Sequence, residues 1–115
     1  KNEVHYRDQK TSSGYLEYDR ARVRWFLSID ANYLPENAIQ GEKLTYRSID
    51  IEGEELEFSG GFTDLHTQSY QNILAGTGYG VEENRAAIQT VSDIRKTAVT
   101  ENPERPHPFL VKLLP

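Results

Sequence analysis

From Glu3 to Phe58 apolar and polar residues alternate, the period of strands that bury one face and expose the other. Val23, Trp25, Leu27 and Ile29 fall on one side of such a strand. Arg22, Arg24, Phe26 and Ser28 fall on the other, giving it a positive charge suited to an anion. The run Gly14 to Tyr18 precedes this strand, and Asp19-Arg20 is a link short enough for a hairpin, so the two pair antiparallel. A second hairpin is predicted from Leu44 to Ile51 and Leu56 to Phe58, joined at Glu52-Gly53-Glu54, where glycine supplies the positive φ of a tight turn. Between the hairpins, Asp30 to Lys43 holds Pro35 and Gly41, both poor in a strand interior, and reads as a loop or a single helical turn. Counting Asn2 to Tyr6 as the first strand gives four or five in all.

The period then changes. Ser59-Gly60-Gly61 ends the sheet, Thr63 or Asp64 is placed to cap a helix, and Leu65, Ser69 and Ile73 mark one face of that helix up to Gly76. Val81, Asn84, Ile88, Val91 and then Ile94 or Arg95 keep the helical spacing. Glu82 and Glu83 open this second helix and Arg95 and Lys96 close it, the order the helix dipole favours. Beyond Thr100, Pro103, Pro106, Pro108 and Pro115 oppose both helix and sheet and predict an extended tail. Strands first and helices afterwards predict the α+β class. The expectation is one domain over residues 1–100, with an open, mainly antiparallel sheet of four to six strands followed by two helices, and a Pro-rich tail over 101–115. One sheet face lacks cover in such an arrangement, and an open apolar face is a natural subunit contact.

Composition sharpens this picture. Hydrophobic residues are 37% of the 115, and seven of them are tyrosines, which leaves a thinner core than the roughly 45–50% apolar content of ordinary globular chains provides. A formal charge of −5 has the wrong sign for phosphate backbones, so nucleic acid is not expected as a partner. The lack of cysteine removes disulfides, thiolate metal sites and a cysteine nucleophile, and leans to a cytoplasmic setting. No basic segment leads into an apolar stretch, so neither a signal peptide nor a membrane span is read. The chain starts at Lys1 rather than Met, as an excised fragment would.

Little in the residues alone points to chemistry. His5, His66 and His107 are too scattered for metal-ligand spacing. His66 sits at a helix start, where outward peptide N–H groups receive anions, though a half-exposed histidine beside a cap is the plainer reading. Arg24 and Arg47 fall on predicted strands and are able to grip a carboxylate or phosphate with two donors, yet most strand arginines are solvated or paired with acids. Gly76-Thr77-Gly78-Tyr79-Gly80 follows a helix rather than a strand and has no closing lysine, so it reads as an interhelix turn. Trp25, Tyr46 and Tyr70 are stacking surfaces or core.

Four motifs carry a resemblance. Ala21-Arg22-Val23-Arg24-Trp25-Phe26-Leu27-Ser28-Ile29-Asp30, Thr45-Tyr46-Arg47-Ser48-Ile49, Phe62-Thr63-Asp64-Leu65-His66-Thr67 with Ser69-Tyr70, and Ile73-Leu74-Ala75-Gly76 occur in this order. Together they resemble the substrate half of bacterial UDP-N-acetylglucosaminuronate 3-dehydrogenases, of the glucose–fructose oxidoreductase and inositol dehydrogenase (Gfo/Idh/MocA) family, over about positions 2 to 98. The Pro-rich tail lies outside the resemblance.

That resemblance implies a lipopolysaccharide O-antigen or other surface-polysaccharide enzyme that oxidises the sugar C3 hydroxyl and passes hydride to NAD. It implies a preceding Rossmann domain that binds NAD and supplies the catalytic lysine and histidine. Since no G-x-G-x-x-G or Glu-Lys-Pro motif is present, no catalytic, cofactor-binding or metal residue is expected in this chain, and alone it is expected to be inactive. Arg24 and Arg47 are implied as anion contacts to the UDP-sugar, His66 and Thr67 as hydrogen-bond donors, and Tyr70 as a packing or stacking wall. The partners implied are the missing Rossmann domain and sister subunits meeting through the sheet face. The alternative is a free-standing, non-catalytic dimerisation or sugar-nucleotide-binding module of the same fold.

Overall fold

The computed structural model describes residues 1–60 and 63–114. Gly61, from the glycine pair expected to end the sheet, Phe62, from the third motif, and Pro115 lie outside the described residues. The chain divides into two units, Lys1–Asp30 with Arg85–Pro115, and Ala31–Asn84.

The first unit is built on three antiparallel strands, β1 (Asn2–Arg7), β2 (Thr11–Glu17) and β3 (Arg22–Ser28), with β2 in the middle. Asp8 shapes the β1–β2 turn: its Oδ1 accepts from the N–H groups of Lys10 at 2.8 Å and Thr11 at 2.7 Å. The Lys10 bond first, and then one from the Tyr6 hydroxyl, hold the Asp8 carboxyl below its usual range. The predicted hairpin between β2 and β3 closes with the N–H of Tyr18 donating to Ala21 O at 2.8 Å.

Register fixes the packing. Gly14 lies opposite Trp25, and a Cβ at Gly14 would sit 2.2 Å from Glu3 O and 2.6 Å from the Trp25 indole. The bare backbone at this position is therefore the seat of the indole, and glycine is required there for lack of room rather than for φ. Between Val4 and Tyr6 the β1 register shifts by one residue, leaving His5 as a bulge. Among the described residues of this unit, Val4, Tyr15 and Leu110 are the buried apolar ones, joined by buried His5, Thr11 and Ser13. Two of the polar members are satisfied locally: Thr11 Oγ1 meets Ser28 Oγ at 2.8 Å, and Ser13 Oγ donates to Trp25 O at 2.8 Å.

The end of the chain completes this unit. Val99 bridges Val4 in parallel, and the N–H of Thr100 donates to Val4 O at 2.7 Å. The segment expected to be extended is in part helical: Pro108–Val111 forms the short helix α4. Prolines do not forbid this, because Pro108 occupies the first helical position, where a missing N–H costs nothing. His107 caps it, with Nδ1 accepting from the N–H of Phe109 at 3.1 Å, and Leu110 is fully buried.

In the second unit, Ala31–Tyr33 forms a 3-10 turn and Glu36–Gln40 the short helix α1, whose Ala38 is buried. A hairpin of β4 (Ser48–Ile51) and β5 (Glu54–Glu57) follows. Glu52 (φ 53°) and Gly53 (φ 91°) both take positive φ, the two-residue turn whose twist matches a hairpin. The five described strands thus fall into two antiparallel ladders rather than one sheet. Helix α2 (Leu65–Leu74) ends as predicted at Gly76 (φ 74°), with the N–H of Gly76 donating to Ile73 O and that of Thr77 to Asn72 O. The glycine-rich stretch is the link to α3 (Val81–Lys96), whose start is fixed by the N–H of Gly80 donating to Glu83 Oε2 at 2.9 Å.

Much apolar surface is left open. Among the described residues neither α2 nor α3 buries a side chain fully, and Ile73, Ile88 and Val91 on their apolar faces are exposed. Ile49, Ile51 and Leu56 of the second hairpin are exposed too, as are Val23 and Leu27 on the face of β3 opposite Arg24. No described helix is long and apolar enough to cross a membrane.

The crowding at Gly14 gives a direct test. Gly14→Ala is expected to force apart β1 and the Trp25 ring, lowering stability by roughly 1–3 kcal/mol. Urea unfolding followed by fluorescence of Trp25, the single tryptophan, will measure it, and an unchanged midpoint would show that the indole does not rest on this glycine.

Candidate functional site

The residues singled out in the sequence divide between the two units. Arg24 belongs to the first; Arg47, His66, Thr67 and Tyr70 belong to the second.

In the second unit, Arg47 lies one residue before β4 rather than on a strand. Its backbone is held on both sides: the N–H donates to Ser59 Oγ at 2.7 Å, and the carbonyl accepts from the N–H of Phe58 at 2.9 Å. These bonds fix the root of the guanidinium stem at the open end of the hairpin, and the residue is exposed. Beside it in sequence, the Tyr46 hydroxyl donates to Glu55 Oε1, and that bond is the main reason its phenol is raised above the ordinary range.

His66 and Thr67 stand in the first turn of α2. The expected cap takes a different form. Asp64 occupies the cap position in the left-handed region (φ 58°, ψ 20°), and its side chain makes no capping bond. Its backbone carbonyl receives the N–H of Gln68 at 3.0 Å, the first bond internal to the helix. The earlier amides therefore point outward, as at every helix start, and no acid stands in this turn to compete for them. Tyr70 follows four residues after His66 and three after Thr67, which places the three on one helix face. It is 68% exposed. The imidazole, hydroxyl, phenol ring and outward amides together form a surface able to donate hydrogen bonds to an anion and to offer a flat apolar wall beside it.

In the first unit, Arg24 lies on β3 opposite Tyr15 of β2. Tyr15 is buried and doubly engaged: its hydroxyl donates to Glu17 Oε2 at 2.8 Å and accepts from Arg105 Nη1 at 2.8 Å. The Arg105 guanidinium also lies 5.6 Å from the Tyr15 ring centre and 3.7 Å from Glu17. The Tyr15 bond first, and then the Arg22 and Arg105 charges, hold the Glu17 carboxyl below its usual range. Next to this, Phe26 stacks on His107 with centroids 5.6 Å apart and meets Phe109 edge-on at 5.6 Å. Burial, and then the charge of Arg24, push the His107 imidazole below its ordinary value. The positive face of β3 is thus partly covered by residues 105–110, a cover that alternation cannot reveal because it comes from the far end of the chain.

A second cluster also escaped the sequence reading. His5 is buried in its bulge, 3.0 Å from Glu3 Oε2 through Nε2, and Lys1 Nζ reaches Glu3 at 2.6 Å. Bonds from Lys1 first and His5 second lower the Glu3 carboxyl. Among the described residues no group of three or more His, Cys, Asp or Glu side chains is arranged to hold a metal. Nor do these residues fit a dinucleotide: the glycine-rich stretch joins two helices, and the parallel pairing is a single bridge at Val4 and Val99.

No family model matches the chain. Solved structures do. The WlbA (WbpB) dehydrogenase from Thermus thermophilus, in complex with NAD and α-ketoglutarate, shares 49% identity and superposes with a TM-score of 0.87, over 95% of this chain and 36% of that one. The same dehydrogenase in complex with NAD and UDP-GlcNAcA gives 47% identity and a TM-score of 0.86, over 95% and 35% of the two chains. Fewer residues lie outside this match than the tail contains, so the likeness extends into the Pro-rich segment that the four motifs leave out. At this level of identity along nearly all of its length, the chain is similar to one part of the WlbA (WbpB) dehydrogenase, of whose length it spans about a third.

Proposed function

We propose that this chain is the substrate-side domain of an NAD-dependent dehydrogenase that oxidises C3 of a UDP-N-acetylglucosaminuronate-like sugar nucleotide in surface-polysaccharide synthesis. One observation carries the reading: 47% identity over 95% of the chain to a dehydrogenase solved with NAD and UDP-GlcNAcA. The first turn of α2 supports it from this chain's own chemistry. A sugar nucleotide presents phosphates, a carboxylate and hydroxyls, and His66, Thr67 and the outward amides are donors for such groups. Tyr70 is the wall beside them and Arg47 the cation of the same unit for a charged end, while Arg24, in the other unit, is an anion contact considered by itself. NAD is assigned to a domain outside this chain, together with every catalytic residue, and the cytoplasm is the compartment where both small molecules are at hand.

Assembly is the second part of the proposal. Val23 and Leu27, the latter 67% exposed, lie on the sheet face away from Arg24, and a face of this kind is suited to a second copy of the chain.

Calorimetric titration of the chain with UDP-N-acetylglucosaminuronate, and separately with NAD, tests the first part. Weak binding of the sugar nucleotide, lost in Arg47→Ala and His66→Ala, is expected, with no heat from NAD; NAD binding would overturn the division of labour. For the second part, light scattering at rising concentration is expected to show self-association, and Leu27→Glu to abolish it by burying a charge in the contact. A monomer at every concentration would reject the sheet-face contact.

A further inference from the structure

We propose that residues 105–111 are a strap over the Arg24-bearing face of the three-stranded sheet, latched by neutral His107 and released when that ring takes up a proton. The strap is held at two points. Upstream, Arg105 is bound to the Tyr15 hydroxyl at 2.8 Å, lies over the Tyr15 ring and pairs with Glu17. Downstream, the hold is the aromatic trio of Phe26, His107 and Phe109, with Leu110 buried behind it.

His107 does two jobs there, and both need the uncharged ring. Its Nδ1 accepts from the N–H of Phe109 at 3.1 Å, which caps α4; a protonated imidazole carries hydrogen on both nitrogens and accepts nothing. Its face lies on Phe26, and the charge acting on it from the facing strand is Arg24 of β3. The cations on its own segment are engaged elsewhere, Arg105 with Tyr15 and Glu17, and Lys112 over the Phe109 ring at 5.3 Å. Uptake of a proton therefore removes a cap, adds a like charge beside Arg24 and places an ion in a half-buried aromatic nest. The upstream hold does not involve His107 and stays.

The sign follows from linkage. His107 titrates lower when docked than when free, so the released strap binds more protons as pH falls below the ordinary imidazole value. Docking is at full strength above that value and weakens as pH falls through it toward the docked one. Release bares Phe26, which the strap half-buries. The inference goes beyond the proposed function and stands whether or not that function is correct.

Hydrogen exchange of the Phe109 and Leu110 amides in the chain, corrected for intrinsic rates and measured from about pH 7.5 to 5, tests it. Protection of these two amides is expected to fall by up to about tenfold per pH unit, the limit for one proton, while the β2 amides hold theirs. In His107→Asn the side-chain oxygen still caps α4 but does not titrate, so the dependence is expected to vanish. In Arg24→Gln the repulsion is removed, and the strap is expected to remain docked to lower pH. Protection that is flat in the unaltered chain, that falls equally in β2, or that falls unchanged in His107→Asn would overturn the latch.

Discussion

The first unit depends on a side chain that is missing. Gly14, in the middle strand, leaves a bare patch of backbone between Glu3 and Trp25, and the indole fills it. Because side chains alternate along a strand, seating Trp25 on one face fixes its neighbours Arg24 and Phe26 on the other, opposite Tyr15 and Ser13. From that phase follow the Tyr15 hydroxyl between Glu17 and Arg105, the nest for His107 and Phe109, and the bulge at His5 where β1 adjusts to the same register. A slip of one residue would carry every one of these groups to the wrong side.

The two faces of that sheet then meet different fates. One is covered by residues 105–110 from the same chain. The other exposes Val23 and Leu27, and apolar residues of α2, α3 and the second hairpin are exposed as well. Two strands alone form a marginal sheet, and helices without a buried side chain gain little from their amphipathic pattern. Such economy is intelligible for a chain that spans about a third of its solved relatives.

Local signals proved readable where the chemistry is local. Glu52-Gly53 announced its hairpin, Gly76 the end of α2, and the acid-first, base-last order of α3 both of its ends, because each depends on residues within one turn. The start of α2 was readable only in place: Thr63 and Asp64 mark the boundary, but Asp64 turns through the left-handed region and caps with nothing from its side chain. Arg47 fell just short of its strand, since strand ends are set by pairing with Ser59 and Phe58 rather than by its own pattern. Arg24, Arg47, His66 and Tyr70 stood out by residue type, Thr67 and the assigned roles came from resemblance, and helix geometry gathers only His66, Thr67 and Tyr70 on one face. The cover of Tyr15 and Phe26 was beyond reach, for its residues lie at the far end of the chain, in a stretch whose prolines suggested only an extended tail.

That separation has a meaning in time. A ribosome delivers Tyr15 long before Arg105, and Val4 long before Val99 and Leu110. While the intervening stretch is being made, the three early strands can pair with one another, yet the face that carries Tyr15 and Phe26 has nothing to close it. The nascent sheet must wait with its aromatic side uncovered, a period in which unpaired surface is open to chaperones and to neighbouring chains alike.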